Sequence, residues 1–204
     1  MKSLIINIGY KEGDSSMKNT YYIGYFPLVS IFLFSLSFAI FAQMKIIKIL
    51  QWLGLYDGIL SVFEEKEVKL TLLIILIMFF IMLFSALKLF AQTVNEVSLL
   101  FFSNDREGDV LKNIRPGSVI FFFGGMVSIF SFFNIKGLLL TLLISTVVYF
   151  IYFVYKISDT LTIGGIVGVI FFQVFTWGVC SVIIIYSLLK WYNILLNSFQ
   201  IPST

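Results

Sequence analysis

Few residues in this chain have both the type and the spacing to do chemistry. Lys88, Gln92 and Glu96 recur at i, i+4 and i+8, which places an ammonium, an amide and a carboxylate along one helix face, with Ser85 and Asn95 nearby. At membrane depth such groups are expensive and mark ion or proton paths. A simpler reading is preferred: Lys88 follows a full apolar core and snorkels to the surface, while Glu96 stands outside the bilayer on a helical extension. Gln173 is an uncharged amide in the middle of a long apolar run, sharing a face with Thr176 and Cys180 at i+3 and i+7. It suits a channel lining, but an interhelical hydrogen bond of roughly 0.6 kcal/mol accounts for it with less. Cys180 reads as a small apolar filler.

Two further patterns concern packing. Gly164 and Gly168 form a GxxxG step with Gly165 beside it, and Gly124 and Ser128 repeat the small-xxx-small spacing. These faces admit close backbone approach, preferably within one chain and otherwise between two copies. Consecutive aromatics such as Phe121-Phe122-Phe123, Phe132-Phe133 and Phe171-Phe172 point around a helix and are read as lipid contact.

Composition excludes most other chemistry. Histidine is absent and Cys180 is the one cysteine, so zinc sites, histidine acid–base work, haem attachment and an internal disulfide lose their usual residues. Walker A, dinucleotide, HExxH and GxSxG sequences are missing, and the expectation is a protein that is not an enzyme and takes no cofactor or metal. The net charge of +3 is small and its lysines are dispersed, which gives no footprint for nucleic acid. Apolar residues make up 59% and charged residues 12%, where soluble domains run near a quarter charged. Lipid must therefore be the main solvent.

The elements that carry these residues follow from the uncharged runs. The fold class expected is all-α, a polytopic membrane protein of about five transmembrane helices plus a short interfacial segment. Spans are expected at about 22–43, 68–90, 117–134, 137–156 and 160–189. Pro27 is placed near the start of the first, and Ser35, Ala39 and Ala42 offer it a small-residue side. Between Lys45 and Phe63, Gly54 and the Asp57-Gly58 turn suggest two short pieces at the lipid surface, with Trp52 and Tyr56 at headgroup depth. Ser61 and Glu64 read as a capping box for the second span, whose helical pattern continues to Phe102 without Gly or Pro, roughly 60 Å in all. Ser103 to Gly117 is the most water-exposed loop, the Asn134 to Gly137 step makes the next two runs a hairpin, and a break at Gly178 is an option within the fifth run.

Residues 1–16 are expected to be a disordered extension, and residues 17–204 a single helical membrane domain. Met17 is read as the natural start, because codons for Lys11-Glu12-Gly13 can spell a ribosome-binding sequence just upstream of it.

Several stretches of local text also match a known family: Met17-Lys18-Asn19-Thr20-Tyr21, Gly24-Tyr25-Phe26-Pro27-Leu28, Ala86-Leu87-Lys88-Leu89 and Glu96-Val97-Ser98-Leu99-Leu100-Phe101-Phe102-Ser103. From Met17 onward the chain resembles the YufK-like family of small Bacillus-type membrane proteins. The resemblance implies a polytopic membrane protein without assigned activity or accepted site residues, and it carries no catalytic residue over.

The function expected is a non-catalytic membrane protein that packs with itself or with a membrane protein partner in the lipid bilayer; the alternative is a small ion or solute transporter or channel using Lys88, Gln92, Glu96 and Gln173. An intramembrane enzyme ranks third. Lysine in place of arginine and the abundance of Ile, Phe and Asn fit an AT-rich genome, so a multi-pass place in a bacterial inner membrane is expected. A slight lysine and arginine excess puts the N-terminus in the cytoplasm.

Overall fold

The structure is a computed structural model that describes residues 13–103, 111 and 114–199. Among these residues every regular element is helical: α1 Gly13–Trp52, α2 Leu55–Leu60, α3 Glu65–Phe102, a 3₁₀ turn Arg115–Gly117, α4 Ser118–Phe130, α5 Ile135–Ser158 and α6 Ile163–Phe199. Four stretches are long and apolar enough to cross a membrane: Tyr25–Trp52 in α1, all of α3, all of α5, and Ile163–Ile194 in α6.

Several boundaries differ from expectation for local reasons. α1 is 40 residues long and runs through Lys45 and Lys48 to Trp52, so the first of the two interfacial pieces is the end of α1 and the second is α2. The break falls at Gly54, whose left-handed backbone (φ 68°, ψ 8°) is a conformation that side chains with a Cβ resist. Pro27 lies well inside α1, not near its start. Gly13 to Ser16 belong to α1, while residues 1–12 of the expected extension lie outside the described residues, as do most of the 103–117 loop and residues 200–204.

The second helix starts later than the Ser61 box implies. The Ser61 hydroxyl donates to Gly58 O at 2.7 Å. Glu64 is the N-cap instead, because its carbonyl accepts from Val68 N–H at 3.1 Å and its own N–H donates to the Glu67 carboxylate at 3.3 Å. That is the return half of a capping box, shifted by three residues. From there α3 runs 38 residues, about 57 Å, as one helix.

The expected third span, 117–134, is shorter than a full crossing: α4 has 13 residues, about 20 Å, behind a 3₁₀ turn that begins at Arg115-Pro116. Ser131 ends it, and Asn134 then caps α5, its side-chain oxygen accepting from Lys136 N–H at 3.0 Å. Thr162 caps α6 in the same way, its hydroxyl accepting from Gly165 N–H at 3.3 Å. α6 passes through Gly178 without a break.

The chain divides into two compact units. The first comprises Met1–Leu87 and Lys112–Phe153. In it α4 runs parallel to α1, with Phe26 on Phe122 (5.2 Å between rings) and, further along, Ser37 on Ser128. α5 runs back along α4, Tyr149 meeting Phe121 at 5.2 Å. α3 runs antiparallel to α1 through rings: Phe38 faces Phe84 at 5.3 Å and Phe80 at 5.7 Å, and Phe34 faces Phe84 at 6.0 Å. Phe34, Phe38, Phe84 and Leu138 form the buried core. The aromatic run 121–123, read as lipid contact, is therefore split: Phe121 packs on this core and Phe122 on Phe26, leaving Phe123 exposed.

The second unit comprises Lys88–Leu111 and Val154–Thr204. The later part of α3 runs antiparallel to α6, with Phe90 on Trp177 (5.4 Å) and Phe101 and Phe102 on Phe172 (6.4 and 6.5 Å). Phe172 is thus a packing residue too, while Phe171 and Phe133 are exposed. Beyond Cys180 every side chain of α6 from Ser181 to Ile194 is exposed, and all but Lys190 are uncharged.

Candidate functional site

Ser30, Ser35 and Ser37 on α1 and Ser128 on α4 are buried, as is Ser145 on α5. On α1 the buried face repeats Ser30, Phe34, Ser35, Ser37, Phe38 and Ala39 at helical spacing, so small side chains alternate with rings. Ser37 and Ser128 lie 2.9 Å apart and both are fully buried. Each hydroxyl also reaches a carbonyl one turn back, Ser37 to Leu33 O at 3.0 Å and Ser128 to Gly125 O at 2.7 Å. Two hydroxyl hydrogens are thus shared among two carbonyls and each other, which leaves no donor idle. Space for this comes from the glycines. A Cβ on Gly124 would overlap the Ser145 hydroxyl and stand 3.0 Å from Ser145 Cβ, and one on Gly125 would stand 3.0 Å from Leu33 Cβ. Gly124 and Ser128 therefore lie on packing faces within the chain, together with Gly125, which the small-xxx-small spacing does not pick out.

In the second unit a buried amide and a half-buried one join two helices. Gln173, 3% exposed, donates from Nε2 to Asn95 Oδ1 at 2.5 Å. Thr176 and Cys180 continue that face half-buried. Asn95 was legible in principle, because it stands beside Val94, Ser98 and Leu99, which recur at i, i+4 and i+5 as buried positions of α3. The sequence grouped it with Lys88 and Glu96, whereas its partner is an amide 78 positions away.

The candidate stripe points elsewhere. Lys88, Gln92 and Glu96 are all exposed, whereas Asn95, which shares the direction of Lys88 two turns on, is half-buried. Gln92 Nε2 donates to Glu96 Oε1 at 2.9 Å; Lys88 makes no ion pair among the described residues, where the one such pair is Glu65 with Lys69. The structure thus brings Gln92 to Glu96 and Gln173 to Asn95, and brings neither pair to Lys88.

Gly164 and Gly168 do not share a role. A Cβ on Gly164 would meet nothing within 4 Å, while one on Gly168 would overlap the Phe102 ring. The close approach is made by Gly165 and Gly168, since a Cβ on Gly165 would stand 2.9 Å from Phe102 O. The turn of phase matters: Gly165, Val169 and Gln173 are the buried i, i+4, i+8 positions of α6. A shallow apolar concavity of about 370 Å³ lies on another face of α6, lined by Val174, Phe175, Gly178, Val179, Val182 and Ile183.

Residues 43–200 match a family of unknown function (DUF5366). The chain is 40% identical over 185 residues, 91% of its own length and 100% of the relative's, to a protein of Bacillus subtilis (strain 168) called an uncharacterized membrane protein YufK. No solved structure matches the chain.

Proposed function

The chain belongs to DUF5366, a family of unknown function with a Bacillus membrane protein among its relatives, and from that premise we propose that it works without catalysis, by packing helices within the bilayer and against a second copy or a membrane protein partner. The observation that carries this reading is the way its buried polar groups are used. Ser37 with Ser128 in the first unit, and Asn95 with Gln173 in the second, each close on one another across a helix contact, the use that membrane helices make of polar side chains in pairing. The concave surface around Gly178 is lined by apolar side chains alone, which suits contact and gives a reacting group nothing to work with.

A bacterial inner membrane is the proposed home, with the N-terminus in the cytoplasm by the distribution of lysine and arginine. Cysteines placed at Asn104 and Ser203 are expected to label from opposite faces if the short α4 completes a fifth crossing; labelling of both from one face would leave the four long helices as the only crossings.

A second reading, transport of an ion or small solute, is favoured by one feature: the hydrogen-bonded Gln92–Glu96 pair one turn beyond Lys88, after the long apolar run of α3. Purified protein in liposomes separates the two. The packing reading expects proton, potassium and small-solute permeability equal to that of empty vesicles. Permeability above that level, lost on Glu96→Gln, overturns it in favour of transport.

A further inference from the structure

Where α1 meets α3, the first unit carries a level marker. The uncharged run of α1 ends at Met44, before Lys45; that of α3 begins at Leu70, after Lys69. Gln43 Nε2 donates to Lys69 O at 2.6 Å, so the two runs end side by side. Lys45 folds back so that its Nζ stands 5.5 Å from the centre of the Phe41 ring, one turn towards the apolar run. A bilayer that covers both runs has its hydrocarbon boundary here.

Everything between these markers is on the water side of that boundary, yet it presents apolar surface. Trp52 is 84% exposed, Val62 74%, Phe63 55%, and Leu53, Leu55 and Ile49 52 to 54%. Tyr56 alone turns inward from α2. The last two turns of α1 beyond Lys45 reach roughly 12 Å, against a headgroup layer of about 5–7 Å on each face. Helical side chains lean towards the N-terminus, which for α1 means back towards the boundary, so Ile49 and Trp52 lean into that layer and not away from it. The left-handed turn at Gly54 then folds α2 and Val62-Phe63 back towards Glu64 and the start of α3.

We infer that residues 49–63 form a membrane-surface anchor, in which Trp52, Leu53, Leu55, Val62 and Phe63 insert into the headgroup and upper acyl region of a phospholipid bilayer. The occupant follows from continuity: the patch adjoins the surface that the bilayer already covers, and its mixture of a tryptophan, a phenylalanine and aliphatic side chains beside lysines suits that layer. Nearby charges cancel, Lys45, Lys48, Lys66 and Lys69 against Asp57, Glu64, Glu65 and Glu67, so insertion rests on apolar contact with phospholipid in general and needs no anionic lipid.

The test is depth-resolved fluorescence in phosphatidylethanolamine–phosphatidylglycerol vesicles, on full-length protein carrying Trp177→Phe and Trp191→Phe so that Trp52 is the one tryptophan left. Quenching by a spin label at the headgroup or upper chain that exceeds quenching by a mid-chain label, with weak quenching by aqueous iodide, is the expected result. Strong iodide quenching without lipid quenching overturns the inference and leaves the patch to a protein partner; strongest quenching by the mid-chain label overturns it too. A second probe guards against a variant that fails to fold. Val62→Cys in a Cys180→Ala background, labelled with an environment-sensitive fluorophore, is expected to emit at interface-like wavelengths in vesicles, and water-like emission there counts against the anchor.

Discussion

The α1–α4 contact of the first unit and the α3–α6 contact of the second both use glycine and a polar pair, yet they use them differently. In the first, Gly125 makes room for a side chain of α1, Leu33, as Gly124 does for Ser145 of α5, and the polar pair is two hydroxyls that also have carbonyls on their own helices. In the second, Gly165 makes room for backbone, the carbonyl of Phe102, and the polar pair is two amides that reach each other across helices. A serine can fall back on its own helix when its partner is lost. A buried amide has more hydrogen-bonding capacity to satisfy and less of it available locally. The first contact should therefore fail by steric overfilling and the second by loss of a polar partner as well.

The largest effect is expected from Gly125→Leu. Its Cβ alone stands 3.0 Å from Leu33 Cβ and 3.5 Å from Ser30 O, so the rest of the side chain must push α1 off α4. Overfilling of a packed contact costs about 1–3 kcal/mol and more when backbone has to move, and this variant belongs at or above about 3 kcal/mol. Denaturation by sodium dodecyl sulfate from a mild-detergent micelle measures it. A folded fraction like that of the parent would mean that the α1–α4 contact is looser than its geometry.

Next come two alanines on neighbouring residues of α6. Gly165→Ala places a methyl 2.9 Å from the Phe102 carbonyl oxygen, which cannot swing aside as a side chain can, and a loss of about 1–3 kcal/mol is expected. Gly164→Ala meets open space and gains helix propensity, so it should leave stability unchanged or raise it by roughly 0.5–1 kcal/mol. Equal effects in the same denaturation assay would return the contact to the Gly164–Gly168 register.

That pair of glycines shows what could be read from sequence alone. Helices, their apolar runs and their caps are local, so the length of α3, the stop at Gly54 and the hairpin at Asn134 were legible from residue order. Rotation of a helix about its axis is not local. Gly164 and Gly165 differ by 100° in direction, and only the partner, Phe102, decides which one faces in. The same holds for Asn95, whose role depends on Gln173, and for Phe121 and Phe123, adjacent in sequence but one packed and one exposed. The shortness of α4 depends on where Pro116 starts the tight turn and Ser131 ends the helix, details finer than an uncharged run can show.

A smaller effect is expected at the amide pair. Gln173→Leu leaves Asn95 without this partner, and Asn95→Leu does the reverse; each should cost about 1–2 kcal/mol. Replacing both should recover part of that loss, with a coupling of roughly 0.6–1.7 kcal/mol, the range found for hydrogen bonds between membrane helices. A double-mutant cycle in micelles measures the coupling. Additive losses would show that the short Nε2–Oδ1 contact contributes nothing beyond its two separate side chains. Ser37→Ala, by contrast, should lie near the lower end of that range, because Ser128 keeps the Gly125 carbonyl.

The smallest effects are expected on the exposed stripe, and they bear most directly on function. Lys88→Leu extends the apolar run of α3 by one turn and removes a charge that has no ion-pair partner among the described residues. Glu96→Gln keeps an acceptor for Gln92 and removes a charge from an exposed i, i+4 hydrogen bond, a contact of about 0.2–0.5 kcal/mol. Both variants should stay within about 0.5 kcal/mol of the parent in stability, as exposed substitutions do. Liposome permeability should be equally unmoved. The contrast with Gln173 is the point of the experiment: a buried amide whose loss is felt and an exposed charge whose loss is not would place the polar chemistry of this protein in helix pairing. If Lys88→Leu or Glu96→Gln instead abolishes folding or a measured flux, the charge is buried against a partner in the working assembly, where removing one member of a pair costs about 3–5 kcal/mol, and α3 becomes a transport element.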